Sequence, residues 1–120
     1  MILVDTSVWV DHLRRNSKKL DGLLIAGEVA CHPFVIGELA CGGLRNRRQI
    51  LELLQALPSL PKAEDDEILL FIERHSLMRR GLGLIDVHLL ASSALAGASL
   101  WTLDIRLRRA AEDLGLGMSQ

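Results

Sequence analysis

Two short uncharged segments, Ile2-Leu3-Val4 and Ser99-Leu100-Trp101-Thr102-Leu103, each run straight into an aspartate, Asp5 and Asp104. Mostly apolar runs of this length, set among helical stretches, read as strands of a parallel sheet buried on both faces. Glu28 to Cys31 is expected to add a third strand and Gly115 to Met118 a further one. Asp5-Thr6-Ser7 opens the first helix, with Thr6 or Ser7 expected as N-cap and Val8, Trp9 and Leu13 on its buried side. Further helices are expected over 17–26, closed by Gly27, and from Pro33 to Gly42-Gly43. Residues 46–57 carry a helical repeat of Ile50, Leu53, Leu54 and Leu57, and Pro58 and Pro61 bracket an extended piece. Glu64-Asp65-Asp66-Glu67 load the start of a helix reaching Met78, as the helix dipole favours. The last two helices are expected over 85–97 and 105–114. The fold class is α/β, and 120 residues suit one domain, 1–120, with a core of its own.

Composition removes several classes of function. Aromatic residues make up 3% of the chain, too few for a base-stacking platform. With 49% apolar and 24% charged residues, the chain is built to fold. Cys31 and Cys41 lie in its most apolar part and read as core thiols of a protein kept in a reducing cytoplasm. The N-terminus has no basic region of the kind that opens a signal peptide. Residues 89–103 carry no charge but are too few to span a bilayer, so no membrane is expected. Of the 14 basic residues 11 are Arg, clustered at Arg14-Arg15, Arg45 with Arg47-Arg48, Arg79-Arg80, and Arg106 with Arg108-Arg109. Solvated helix faces explain most such clusters, and their Arg bias leaves a phosphate or a carboxylate-bearing partner open. The helices over 17–26 and 46–57, with Arg beside Leu-rich faces, are a candidate surface for a protein partner or a second copy.

Four of the 15 acids stand in unusual places. Asp5 and Asp104 emerge at the carboxyl edge of the sheet, where open α/β folds bind ligands, although either also suits a helix cap. Glu38 lies in Pro33-Phe34-Val35-Ile36-Gly37-Glu38-Leu39-Ala40-Cys41, apolar almost all round, and shares a face with Phe34, Val35 and Cys41. A helix that apolar is expected to be buried, so Glu38 needs a cation, a proton or an Arg partner. Asp86, in Leu84-Ile85-Asp86-Val87-His88-Leu89-Leu90, starts a helix and suits either a cap or a ligand. Should the four converge, their repulsion calls for protonation or divalent cations. With no His/Cys spacing for zinc, oxygen-only ligation points to Mg²⁺ or Mn²⁺. Such a site suits phosphodiester hydrolysis, one ion polarising a phosphate oxygen and lowering the pKa of an attacking water. With the four acids offset, the net charge of −1 becomes +3, compatible with an anionic substrate.

Asp5-Thr6-Ser7 after an N-terminal strand, Glu38 inside Val35-Ile36-Gly37-Glu38-Leu39, then Leu84-Ile85-Asp86-Val87-His88-Leu89-Leu90-Ala91, then Leu100-Trp101-Thr102-Leu103-Asp104 follow the order of the PIN domain. More narrowly the chain resembles the VapC ribonuclease toxins of prokaryotic toxin–antitoxin pairs, over its whole length. The resemblance implies a three-layer fold with a mainly parallel central sheet and a metal-dependent endoribonuclease cutting tRNA, rRNA or mRNA. It implies inhibition by a VapB-type antitoxin, commonly through a basic residue placed in the acidic pocket, and usually a homodimer. Asp5, Glu38, Asp86 and Asp104 would form the metal-binding quartet, and Ser7 matches the hydroxyl position that supports it. After its last acid the family often has Asp-x-aromatic, whereas this chain has Asp104-Ile105-Arg106-Leu107.

Other readings compete. A PIN-like module could bind RNA or protein without cutting, and a PIN nuclease could process RNA without being a toxin. A receiver-type signalling domain needs an acidic pair after the first strand and a late Lys, but the last Lys here is Lys62. A haloacid-dehalogenase-type phosphatase wants a second Asp where Ser7 stands. His12, His32, His75 and His88 show no ligand spacing and read as structural or surface residues.

Overall fold

The computed structural model describes residues 1–118. Its elements are β1 (Ile2–Val4), α1 (Thr6–Arg15), α2 (Lys18–Ile25), β2 (Val29–Ala30), α3 (Pro33–Cys41), α4 (Arg47–Ala56), α5 (Asp65–Arg74), α6 (Leu84–Ala96), β3 (Ser99–Trp101) and α7 (Ile105–Asp113). The three strands are parallel in the order β2-β1-β3, with Leu3 beside Ala30 on one side and Leu100 on the other. Ser59 bridges to Cys31 and Gly117 to Leu100, so the two outermost extended pieces widen the sheet as isolated bridges rather than full strands. Parallel crossovers are right-handed. That hand puts α1–α4 on one face and α5–α7 on the other, in agreement with α1 packing on α3, α3 on α4, and α5 on α6. Leu3, Val4, Val29, Ala30 and Leu100 are buried in the sheet, and Leu20, Val35, Leu54, Leu89, Leu90 and Leu107 cover it.

Helix ends and faces follow from local chemistry, with four departures from the expected pattern. α1 is capped one position earlier than expected: Asp5 is the N-cap residue, and its side chain makes no capping bond because it is engaged elsewhere. Leu13 is 40% exposed, leaving Val8 and Trp9 as the buried face of α1. α5 ends at Arg74 and does not reach Met78. The backbone N–H of Leu77 donates to the Ile72 carbonyl (3.0 Å) and that of Ser76 to Glu73 (3.3 Å), with Ser76 at φ 51°. This paired closure turns the chain and sends Leu77 into the core, a contact that outweighs another helical turn. Cys31 is a core thiol, but Cys41, at the last turn of α3, is exposed.

Two histidines serve the interior. His32 is fully buried; its Nδ1 accepts from the Phe34 N–H (3.0 Å) and so caps α3, while its Nε2 faces Ser92 Oγ at 3.0 Å. Ser92 in turn donates to the Pro61 carbonyl at 2.6 Å. Burial, with His88 and Lys62 nearby, lowers the His32 pKa from 6.5 to about 4, so the ring is neutral at pH 7. His88 packs edge-on against Phe34 at 4.7 Å.

Candidate active site

The parallel register decides what meets at the carboxyl edge. The backbone N–H of Asp5 donates to the Trp101 carbonyl (2.9 Å), which sets the residue leaving β1 level with those leaving β3. Asp5 is 7% exposed and Thr102 is 4% exposed. Both Ser7 Oγ and Thr102 Oγ1 donate to Asp5 Oδ2, each at 2.7 Å. Each hydroxyl is itself held by a backbone donor: Leu103 N–H on Ser7 Oγ (3.0 Å) and Asp104 N–H on Thr102 Oγ1 (3.1 Å). The turn after β3 is thereby tied to the start of α1, and the Asp5 carboxylate is fixed between them.

Asp104 caps α7, with Oδ1 accepting from the backbone N–H groups of Arg106 (2.9 Å) and Leu107 (3.1 Å). Asp86, the third residue of α6, reaches back so that Oδ2 accepts from the Gly83 N–H at 2.9 Å. Burial, and beyond it the charges of Asp5 and Asp104, push the Asp86 pKa above the usual carboxylate range against the lowering effect of the Gly83 bond. Asp86 therefore feels the charge of both other aspartates. Glu38 is exposed, contrary to its expected burial. Only Val35 and Leu39 of α3 are fully buried, so its apolar sequence overstates how much of it is covered. Glu38 Oε1 accepts from Thr6 Oγ1 at 2.7 Å, which joins it to the residue after Asp5.

One pattern unites the four acids. Each spends one oxygen inside the protein: Asp5 Oδ2, Glu38 Oε1, Asp86 Oδ2 and Asp104 Oδ1. Among the described residues no hydrogen bond reaches the other oxygen of any of them. A carboxylate clamped at one oxygen and open at the other is oriented to receive a donor from outside. Thr6 and Thr102, which hold Glu38 and Asp5, were not legible in the sequence; their position one residue after and two residues before an edge aspartate was the only available sign.

The donor set fits a hard divalent cation: carboxylate and hydroxyl oxygens, with no imidazole or thiolate among them. Among the described residues no three His, Cys, Asp or Glu side chains form a ready cage for a bare ion. The four acids are oriented by their clamped oxygens but do not close into such a cage as they stand.

The sequence matches the PIN domain over residues 2–113. The chain belongs to the PIN-domain family. It is 46% identical over 121 residues to Ribonuclease VapC32 of Mycobacterium tuberculosis, in strains CDC 1551 / Oshkosh and H37Rv alike, covering 100% of this chain and 98% of the relative, and it sits with it in the VapC branch. The fold is similar to the crystal structure of PAE2754 from Pyrobaculum aerophilum, with a TM-score of 0.62, 18% identity, and 94% and 90% of the two chains covered. Among the described residues no helix is long and apolar enough to cross a membrane.

Proposed function

We propose that this protein is a divalent-metal-dependent endoribonuclease, the toxin of a toxin–antitoxin pair, working as one PIN domain over 1–120. The observation that carries the reading is the set of four carboxylates, each held by one oxygen and open at the other, at the carboxyl edge of the sheet. Asp5, Asp86, Asp104 and Glu38 would hold Mg²⁺ or Mn²⁺. The cation's chemistry there is to polarise a phosphate oxygen and lower the pKa of a water.

The chain's own residues do the positioning. Ser7 and Thr102 keep Asp5 Oδ2 occupied, so that only Oδ1 turns outward. Asp104 and Asp86 are set by helix starts, whose N–H groups fix the carboxylate planes. Thr6 keeps Glu38 at the rim. Without a cation, burial first and then the charges of Asp5 and Asp104 favour a proton on Asp86. The substrate is RNA, and the partner a VapB-type antitoxin whose basic residue would meet the same open oxygens. A homodimer and a cytoplasmic location belong to this reading. Ile25 on α2 and Leu53 on α4, 88% and 49% exposed, support that pair of helices as the surface for a partner.

The test is cleavage of total tRNA and rRNA by the purified, antitoxin-free protein in EDTA, Mg²⁺ and Mn²⁺. Cutting that needs the metal and is lost in Asp5→Asn is expected. A folded protein that cuts neither RNA under any of these conditions overturns the reading in favour of a binding module.

A further inference from the structure

Arg106 stands two residues beyond Asp104, at the rim of the acidic edge, and is exposed. A guanidinium so placed would ordinarily fall onto a carboxylate. It does not: among the described residues the ion pairs are His12–Asp21, Arg15–Asp11 and Arg80–Asp113, and Arg106 is in none of them. Its side chain instead lies across the backbone of Gly81. A Cβ at position 81 would stand 2.9 Å from Arg106 Cδ, 3.0 Å from Nη1 and 3.2 Å from Nε. Gly81 also holds φ +73°, a conformation side chains rarely adopt.

The surrounding loop is built to keep this contact. Arg80 pairs with Asp113 on α7 at 2.7 Å, tying the residue before Gly81 to the helix that carries Arg106. Gly83, two residues on, donates to Asp86. One segment thus seats the Asp86 carboxylate and cradles a guanidinium that answers to no carboxylate. The fork of Arg106 keeps its donors for a ligand, and an anion is what an unpaired guanidinium takes. At the edge of a site that accepts a phosphodiester chain, that anion is a backbone phosphate.

We propose that Arg106, laid over Gly81, binds an RNA phosphate beside the one that is cut and so positions the strand. The inference rests on the ribonuclease reading. Its role is in holding substrate, with the reacting atoms left to the acids.

The test measures binding and cutting separately. Binding of a fluorescein-labelled 12-nucleotide single-stranded RNA of mixed sequence is followed by anisotropy in Ca²⁺ at several salt concentrations. Cutting of total tRNA is followed in Mg²⁺. Arg106→Gln is expected to weaken binding about tenfold and to reduce the slope of log K against log salt by about 0.7, the loss of one phosphate contact on a single strand. The apparent KM for tRNA rises by about the same factor while kcat stays within about twofold. Gly81→Ala, which crowds the guanidinium, shifts both readouts in the same direction. Arg15→Gln, nine residues along α1 from Thr6 and about 14 Å by the helical rise, leaves both unchanged. An Arg106→Gln protein with wild-type slope and KM overturns the inference while the nuclease stands. A wild type that neither binds nor cuts RNA overturns the function, and this inference with it.

Discussion

Thr102→Val tests whether the hydroxyl pair on Asp5 is what builds the site. The substitution keeps the shape of the side chain and removes one of the two donors to Asp5 Oδ2, a 2.7 Å bond between buried partners. A hydrogen bond to a charged group contributes roughly 1.5–3 kcal/mol. The Asp104 N–H also loses its acceptor, but Asp104 is exposed and water replaces it at little cost. A net loss of about 2 kcal/mol follows, which lowers the Tm of a domain this size by about 8 °C. The functional loss is separate. Residues that hold a metal-binding carboxylate typically change affinity about 10–100-fold when removed. Thermal unfolding in EDTA reads the first effect and Mn²⁺ titration the second. Thr102→Ser, which keeps the hydroxyl, restores most of both. A Thr102→Val protein that melts within about 1 °C of wild type and binds Mn²⁺ equally well would refute the reasoning.

Two further outcomes follow from the charges. Asp86→Asn keeps an acceptor for the Gly83 N–H and removes a carboxylate that burial and its neighbours disfavour in the ionised form. It should therefore raise Tm in EDTA while abolishing metal-dependent cutting, and a lowered Tm would contradict the stated balance. The second concerns acid. Folded His32 stays neutral down to about pH 4, whereas the unfolded chain takes that proton near 6.5. The unfolded state binds more protons between those values, so the stability is fully present above pH 6.5 and is lost as the pH falls to 4. The loss reaches about 3 kcal/mol. Protonation of Asp86 acts with the opposite sign, so urea unfolding between pH 7.5 and 4 is best followed in Asp86→Asn. A stability flat with pH in that variant would show that His32 is protonated without penalty.

The sequence made the frame of this site legible and left its clamps hidden. Asp5 and Asp104 could be placed at one edge because a short apolar run ending in an acid has few other readings in a parallel sheet. The helix α4 was visible through its repeat of Ile50, Leu53, Leu54 and Leu57, and α2, α6 and α7 through the glycines that border them. Glu38 was picked out for a burial it does not have: amphipathic pattern measures composition, and α3 is half-covered in spite of its own. The bonds from Thr102 and Ser7 to Asp5 join residues on opposite ends of the chain, and only the register between β1 and β3 brings them together. Thr is too common at strand ends for its spacing to carry that information. The contact of Arg106 with Gly81 was equally invisible, since a glycine in a loop looks like any turn.

The account rests on the open oxygens of the four acids drawing together around a cation. Calorimetric titration of Mn²⁺ into the wild type and into the Asp5→Asn/Asp86→Asn double variant tests that most directly. Saturable binding in the wild type that disappears in the folded double variant is the predicted result. Equal binding by both proteins, or none by the wild type, would contradict it.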